Sequence, residues 1–141
     1  MSPEPLAIFV YGTLKQGEVR ERCWPRPPVS VESATACGAL YDLGSYPALV
    51  EGQDTVAGEL WTLEPADMQA TLAALDRVEG FAGQPDDWYR RVVIECQTDT
   101  AVVRAWTYRF AQPDRLHDQQ RIAPNNQGVC VWSGNPPITD D

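Results

Sequence analysis

The order of apolar segments along the chain restricts its fold more than any other feature of the sequence. Only residues 65–78 place apolar side chains at helical spacing, with Pro65 at the first helical position. Several other segments are short and rich in β-branched and aromatic residues, as strands are: residues 6–11, 34–43, 48–50, 55–63, 88–97, 101–110 and 128–132. Strands and helices do not alternate, so a doubly wound parallel sheet does not fit. We expect an α+β fold, a small, mixed and mainly antiparallel barrel-like sheet with one main helix packed on it.

The length of the chain sets the expected domain organisation. With 141 residues it has the size of one ordinary domain. We expect a single domain over residues 1–134 and a loose tail at residues 135–141. Residues 111–127 are polar and carry few apolar side chains. Loops of this length are usually lids, binding segments or disordered.

Charge and cysteine content argue against several classes of partner and site. The formal net charge of -9 disfavours nucleic acid and anionic membranes as partners, because both require clustered Lys and Arg. The longest apolar run, residues 6–11, is too short to span a membrane, and the N-terminus lacks a signal-peptide pattern. The cysteines show no C-x-x-C spacing, and His117 is the one histidine. We therefore expect a cytoplasmic protein with reduced cysteines and no metal site.

One carboxylate falls on the apolar face of the helical segment. At 100° per residue, Met68, Leu72, Leu75 and Glu79 lie on one stripe, so Glu79 occupies the next core-facing position. Burial and the nearby carbonyls of a helix C-terminus both raise the pKa of a carboxyl group from about 4.3 toward neutrality. A glutamate tuned in this way suits general acid/base catalysis. The alternative is a frayed helix end, with Glu79 in solvent.

A second candidate site lies where the first strand ends. Tyr11, Gly12, Thr13 and Leu14 leave a buried strand at a glycine. Successive backbone N–H groups at such a bend can form a nest that holds a carboxylate or a developing oxyanion. The alternative is an ordinary turn after a strand, with Tyr11 as a core aromatic.

Two further tyrosines lie on a predicted hairpin. Tyr89 and Tyr108 belong to consecutive strands, joined by a polar turn at residues 98–100. If these strands pair, both rings can line one cavity. The alternative is that they are simply core residues.

Taken together, these segments resemble the gamma-glutamylcyclotransferase-like family, and most of all its gamma-glutamylamine cyclotransferase-type proteins. The matching pieces cover nearly the whole chain: residues 9–17, 38–43, 46–48, 56–60, 75–80, 88–91, 105–108 and 128–134. Residues 18–24 depart from the pattern, because relatives often carry an Asn and a His there. The resemblance therefore leaves the leaving group open.

The resemblance implies a small barrel with a cavity, no cofactor, and a small gamma-glutamyl compound as the partner. It implies that residues 11–14 bind the substrate and that Glu79 stands where the family keeps its catalytic glutamate. The implied reaction converts a gamma-glutamyl amine or gamma-glutamyl amino acid to 5-oxoproline and the free amine. A non-catalytic ligand-binding protein or an interaction protein on the same fold is the alternative. The oligomeric state stays open.

Overall fold

The computed structural model describes residues 4–134, and the six strands in this range form one sheet. The strands are β1 (Ala7–Val10), β2 (Ser30–Asp42), β3 (Pro47–Thr62), β4 (Tyr89–Gln97), β5 (Val102–Phe110) and β6 (Val129–Cys130), and the α-helix is α1 (Pro65–Glu79). The sheet order is β1-β5-β4-β2-β3-β6, and β1 also pairs with β3. This extra pairing closes the first five strands into a barrel, to which β6 is added at β3.

The short strand β1 is the closing strand of the barrel. It runs antiparallel to β3 and parallel to β5, and β6 runs parallel to β3, while the remaining pairs are antiparallel. Successive side chains of a strand point to opposite faces, so Phe9 packs inside the barrel whereas Ile8 and Val10 pack in the layer under α1. The predicted fold, a mixed and mainly antiparallel barrel with one main helix, is confirmed.

Helix α1 packs through the predicted apolar stripe. Met68, Leu72 and Leu75 are all buried against the outer layer of β1 and β5. Thr71 is buried as well, and its hydroxyl donates to the carbonyl of Asp67 one turn earlier, at 2.8 Å. The buried face therefore combines three apolar side chains with one satisfied hydroxyl.

The expected break between residues 50 and 55 is a bulge within one strand. In β3, Val50 pairs with Ala39 and Asp54 pairs with Gly38, so residues 51–53 are extra on their side of the ladder. A Cβ at Gly52 would lie 2.7 Å from the Ala39 Cβ, so only glycine permits this close approach. The prediction of two separate strands at residues 48–50 and 55–63 was wrong, because a bulge interrupts the sequence pattern without ending the strand.

The polar segment 111–127 lies against the sheet rather than over its open end. It contains two short 3-10 turns, Pro113–Arg115 and Asp118–Gln120. Arg121 then bridges to Tyr41 in β2 and donates to the Asp54 carboxylate at 2.8 Å. The tail expected at residues 135–141 falls outside the described residues. No helix in the described part of the chain is long and apolar enough to cross a membrane.

Candidate active site

A cavity of about 170 Å³ opens where the end of α1 meets one end of the barrel. Its wall combines the end of β1 with the loop that follows it, the last residue of α1, Tyr108 of β5, and the starts of β3 and β4 with the residue before each. The lining residues are Phe9, Val10, Tyr11, Gly12, Thr13, Leu14, Arg20, Tyr46, Pro47, Glu79, Trp88, Tyr89 and Tyr108. All seven residues singled out in the sequence lie on this wall. Their placement is a geometric finding, whereas their roles stay predictions.

Glu79 is fixed at the last position of α1 by the way the helix ends. Gly80 adopts a left-handed conformation (φ 69°), and its N–H bonds back to the Arg77 carbonyl at 3.3 Å. The Phe81 N–H reaches the Asp76 carbonyl at 2.9 Å, and the Phe81 ring packs against the layer under the helix. This hydrogen-bond pattern is the Schellman motif, which satisfies the last carbonyls of a helix. Glu79 is thus held at a capped helix end and not at a frayed one.

The environment of Glu79 shifts its protonation toward neutral pH. Its side chain is 11% exposed, and its Oε2 lies 3.8 Å from Nη1 of Arg20. Burial raises the pKa of Glu79 from its ordinary 4.5 to about 7, and the Arg20 guanidinium acts in the opposite direction. Glu79 is the only carboxylate among the described residues that line the cavity. The site therefore holds one acid/base group that titrates near pH 7.

In residues 12–14 the backbone carbonyls accept hydrogen bonds, whereas the backbone N–H groups find no acceptor in the described chain. Each carbonyl accepts a hydrogen bond from the segment that follows: Lys15 N–H to Gly12 O at 3.1 Å, Arg20 N–H to Thr13 O at 2.8 Å, and Trp24 Nε1–H to Leu14 O at 2.9 Å. Within residues 4–134, the three amides of this stretch donate to no protein acceptor. N–H groups without acceptors beside a cavity are suited to binding an anion.

Three of the four tyrosines of the wall, Tyr11, Tyr89 and Tyr108, use their hydroxyl groups to hold the structure. Tyr11 donates to the Tyr108 carbonyl, Tyr89 donates to the Pro47 carbonyl at 2.6 Å, and Tyr108 donates to Asp76 Oδ1 at 2.6 Å. Burial, as the largest cause, raises the pKa of each phenol well above its ordinary value. These three tyrosines are therefore neutral wall residues at physiological pH.

A charged network behind the wall positions Tyr108. The same Oδ1 atom of Asp76 that accepts from Tyr108 also accepts from Arg91 Nε at 3.0 Å. The Arg91 guanidinium lies 4.6 Å from the ring centroid of Trp106, a cation–π contact. Asp76 thus links α1 to β4 and β5 next to the cavity.

Asp76→Ala is expected to lower the free energy of unfolding by about 1–3 kcal/mol. The substitution removes the acceptor of the buried Tyr108 hydroxyl and leaves Arg91 without its carboxylate. Urea unfolding followed by circular dichroism measures the change. Asp99→Ala, in the exposed hairpin turn, should change stability by no more than about 0.5 kcal/mol. Equal, small changes in the two variants would contradict the assigned network.

Several wall residues were missed by the sequence analysis. Arg20 belongs to a polar loop with no periodic pattern, and it reaches the cavity because its N–H bonds back to Thr13. Tyr46 lies in the turn between β2 and β3, Pro47 is the first residue of β3, and Trp88 directly precedes β4. Tyr46, Pro47 and Trp88 belong to two pieces that carry the family resemblance, residues 46–48 and 88–91, and this was their only signal in the sequence. The position of Arg20 depends on contacts between distant segments.

A family model and two similar proteins all carry gamma-glutamyl cyclotransferase names. A model of the family described as "Gamma-glutamyl cyclotransferase, AIG2-like" matches residues 8–128. A protein of Vibrio cholerae named "Putative gamma-glutamylcyclotransferase" is 38% identical over 111 residues, which are 78% of this chain and 86% of that protein. The Niallia circulans protein named "Gamma-L-glutamyl-butirosin B gamma-glutamyl cyclotransferase" is 31% identical over 112 residues, covering 77% of this chain and 69% of that protein.

Solved structures share the architecture at lower sequence identity. An AIG2-like protein from Mus musculus has a TM-score of 0.59 at 19% identity, covering 98% of this chain and 100% of the mouse chain. YkqA from Bacillus subtilis has a TM-score of 0.56 at 21% identity over 76% of this chain, and the chain covers 36% of the length of YkqA. These two likenesses concern the fold alone.

Proposed function

The chain belongs to the gamma-glutamyl cyclotransferase family, and from this premise we propose that it cyclises gamma-glutamyl compounds. In the proposed reaction the α-amino nitrogen attacks the side-chain carbonyl carbon of the same molecule, and the bond to the amine breaks. The α-ammonium group loses one proton and the departing amine gains one. The products are 5-oxoproline and the free amine, and no water is consumed.

The observation that carries this proposal is the position of Glu79, which is largely buried at the capped end of α1 and lines the same cavity as residues 12–14. Burial there raises the pKa of Glu79 to about 7. The α-ammonium group of the substrate neighbours its own carboxylate, which holds the pKa of that group above the value of about 7.7–8.0 found at a peptide N-terminus. A base with a pKa of about 7 is better matched to this proton than an ordinary glutamate is. Glu79 then holds the proton that the leaving amine needs. Proton transfer is most efficient when the pKa of the catalytic group lies near the working pH.

The loop after β1 supplies the second part of the proposed mechanism. The amides of Gly12, Thr13 and Leu14 donate to no acceptor within the described chain, and they would stabilise either the substrate α-carboxylate or the oxyanion that forms at the attacked carbonyl. Tyr89 and Tyr108 would contact the folded substrate as wall residues. Since both reacting groups belong to one molecule, positioning contributes several kcal/mol to the lowering of the barrier.

The proposed setting is the cytoplasm, and the proposed reaction uses no cofactor. All four cysteines are free thiols, and Cys96 and Cys130 are buried, which fits a reducing compartment. Glu79 and the backbone amides supply acid/base and electrostatic catalysis, so each step of the reaction has a group assigned to it.

A panel of gamma-glutamyl amines and gamma-glutamyl amino acids tests the proposed function. Purified protein should release 5-oxoproline and an equal amount of amine from at least one member, measured by chromatography. Saturable binding of these compounds by calorimetry without release of product would instead identify a ligand-binding protein on the same fold. A lack of both binding and turnover across the panel would point to an interaction protein.

The rate should rise with pH on the acid side, with a midpoint near the pKa of Glu79. In the wild type, kcat/KM is expected to increase through about pH 7, because the base accepts a proton only when ionised. Arg20→Gln removes the cation that lowers this pKa, so its acid limb should move to higher pH. Arg22→Gln changes an exposed arginine of the same loop and should leave the limb in place. Identical acid limbs in all three proteins would contradict the Arg20–Glu79 contact.

A further inference from the structure

Building on the proposed function, we infer that Arg20 selects substrates whose leaving amine carries a carboxylate, as in a gamma-glutamyl amino acid or peptide. Arg20 is the only cationic side chain among the described residues that line the cavity. Its backbone N–H bonds to the Thr13 carbonyl at 2.8 Å, which fixes this arginine relative to the loop after β1. The positive charge of Arg20 is therefore part of the cavity wall.

The residues that line the cavity are more exposed around Arg20 than around the proposed reacting groups. The Glu79 side chain is 11% exposed and Thr13 is 6% exposed, whereas the Arg20 side chain is 38% exposed. Tyr46 and Trp88 are also exposed, at 40% and 50%. The glutamyl group must reach Glu79 and the amides at the closed end. The leaving group then extends through the open end, beside Arg20 and the two aromatic rings.

The guanidinium of Arg20 has unused donor capacity. It approaches Glu79 at 3.8 Å, which is longer than a hydrogen bond. Across residues 4–134 its side chain donates no hydrogen bond to a protein acceptor. A guanidinium offers five N–H donors in a planar fork, and its matching ligand is a carboxylate bound through two parallel hydrogen bonds.

The charges at the open end also predict which leaving groups are disfavoured. A carboxylate on the departing amine would pair with Arg20, while an apolar side chain on it would lie against Tyr46 and Trp88. A leaving group with an additional ammonium, as in a diamine, would place a like charge near the guanidinium. The geometry thus favours amino acids over plain amines and disfavours diamines.

Two substrates that differ only in this carboxylate test the inference: gamma-glutamyl-alanine and gamma-glutamyl-alaninamide. The wild type should prefer the acid about tenfold or more in kcat/KM, the value expected for a charge-assisted hydrogen bond. In Arg20→Gln the ratio should fall to about one, because effects of this residue on Glu79 are common to both substrates and cancel. Arg20→Glu should invert the preference toward the amide. Arg22→Gln should keep the wild-type ratio.

The possible outcomes separate this inference from the proposed function. If the wild type releases 5-oxoproline from both substrates with a ratio of one, the inference is overturned and the cyclotransferase activity stands. The same conclusion follows if Arg20→Gln slows both substrates equally, since Arg20 would then serve the shared glutamyl group. If the folded wild type releases 5-oxoproline from neither compound, the inference is overturned, and the proposed function is overturned with it only when no member of the wider panel is cyclised. Melting temperatures within a few degrees of the wild type establish that the variants are folded.

Discussion

Glu79→Gln is expected to lower kcat about 10²-fold to 10⁴-fold, the usual contribution of a general acid/base, while the fold stays intact. Gln retains the size and hydrogen-bonding groups of Glu but cannot accept the proton of the α-ammonium group. The rates should be measured by 5-oxoproline release under saturating substrate. Glu64→Gln is the matched control, because Glu64 is exposed at the start of the same helix and makes no capping bond with its side chain.

The same substitution should stabilise the protein at high pH. The folded pKa of Glu79 is about 7 against an ordinary value of 4.5, so its stabilising contribution is complete below about pH 4.5 and is lost as pH rises through about 7. At pH 8 ionised Glu79 costs about 3 kcal/mol. Urea unfolding should therefore show Glu79→Gln to be more stable than the wild type at pH 8, with most of the difference gone at pH 5. Full activity together with equal stability at both pH values would identify Glu79 as a solvated side chain.

Gly12→Ala is expected to lower kcat/KM about 100-fold, because it displaces the loop that faces Glu79. A Cβ at position 12 would lie 2.5 Å from Cγ and 2.6 Å from Cδ of Pro47. The proline ring cannot rotate away, and its carbonyl holds the hydroxyl of Tyr89. A displacement of about 1 Å between reacting groups can cost 10²-fold in rate, and the overpacking should reduce stability by about 1–3 kcal/mol.

Gly17→Ala serves as the control for a substitution that only adds backbone strain. Gly17 has a φ of 83° and no atom within 4 Å of its ideal Cβ position. Alanine in this left-handed conformation costs about 1–2 kcal/mol, but nothing in the cavity should move, so kcat/KM should stay near the wild-type value. If Gly12→Ala also retained the wild-type kcat/KM, the loop after β1 would have no part in positioning the substrate.

The features that could be predicted from the sequence are those with local patterns. The helical periodicity of residues 65–78 predicted which face of α1 is buried and placed Glu79 on that face. The helix ends at Glu79, one residue beyond its predicted end. The fold class was predicted from the many strand-like segments and the single helical segment. Residues 11–14 were singled out because a buried strand ends at a glycine, which is a signal contained within a few residues.

The features that could not be predicted depend on contacts between distant segments. Pairing of β1 with β3 closes the barrel, yet nothing in either strand specifies its partner. Arg20 enters the cavity through a bond to Thr13, and Asp76 meets Tyr108 only after α1 packs on the sheet. The bulge at residues 51–53 also depends on the partner strand, since its register shift is defined only by the pairing with β2. Such contacts follow from the closed barrel and not from any local pattern.

The identity of the product formed by the wild type is the most direct test of the proposed mechanism. Gamma-glutamyl-alanine labelled with ¹⁵N at its α-amino group should be converted to 5-oxoproline that carries the ¹⁵N in a lactam N–H, with one alanine released per lactam, as followed by NMR. Glu79→Gln should show this conversion only at a strongly reduced rate. If the product is glutamate, with the ¹⁵N still in a free amino group, water has attacked the carbonyl, and the protein is a hydrolase and not a cyclotransferase.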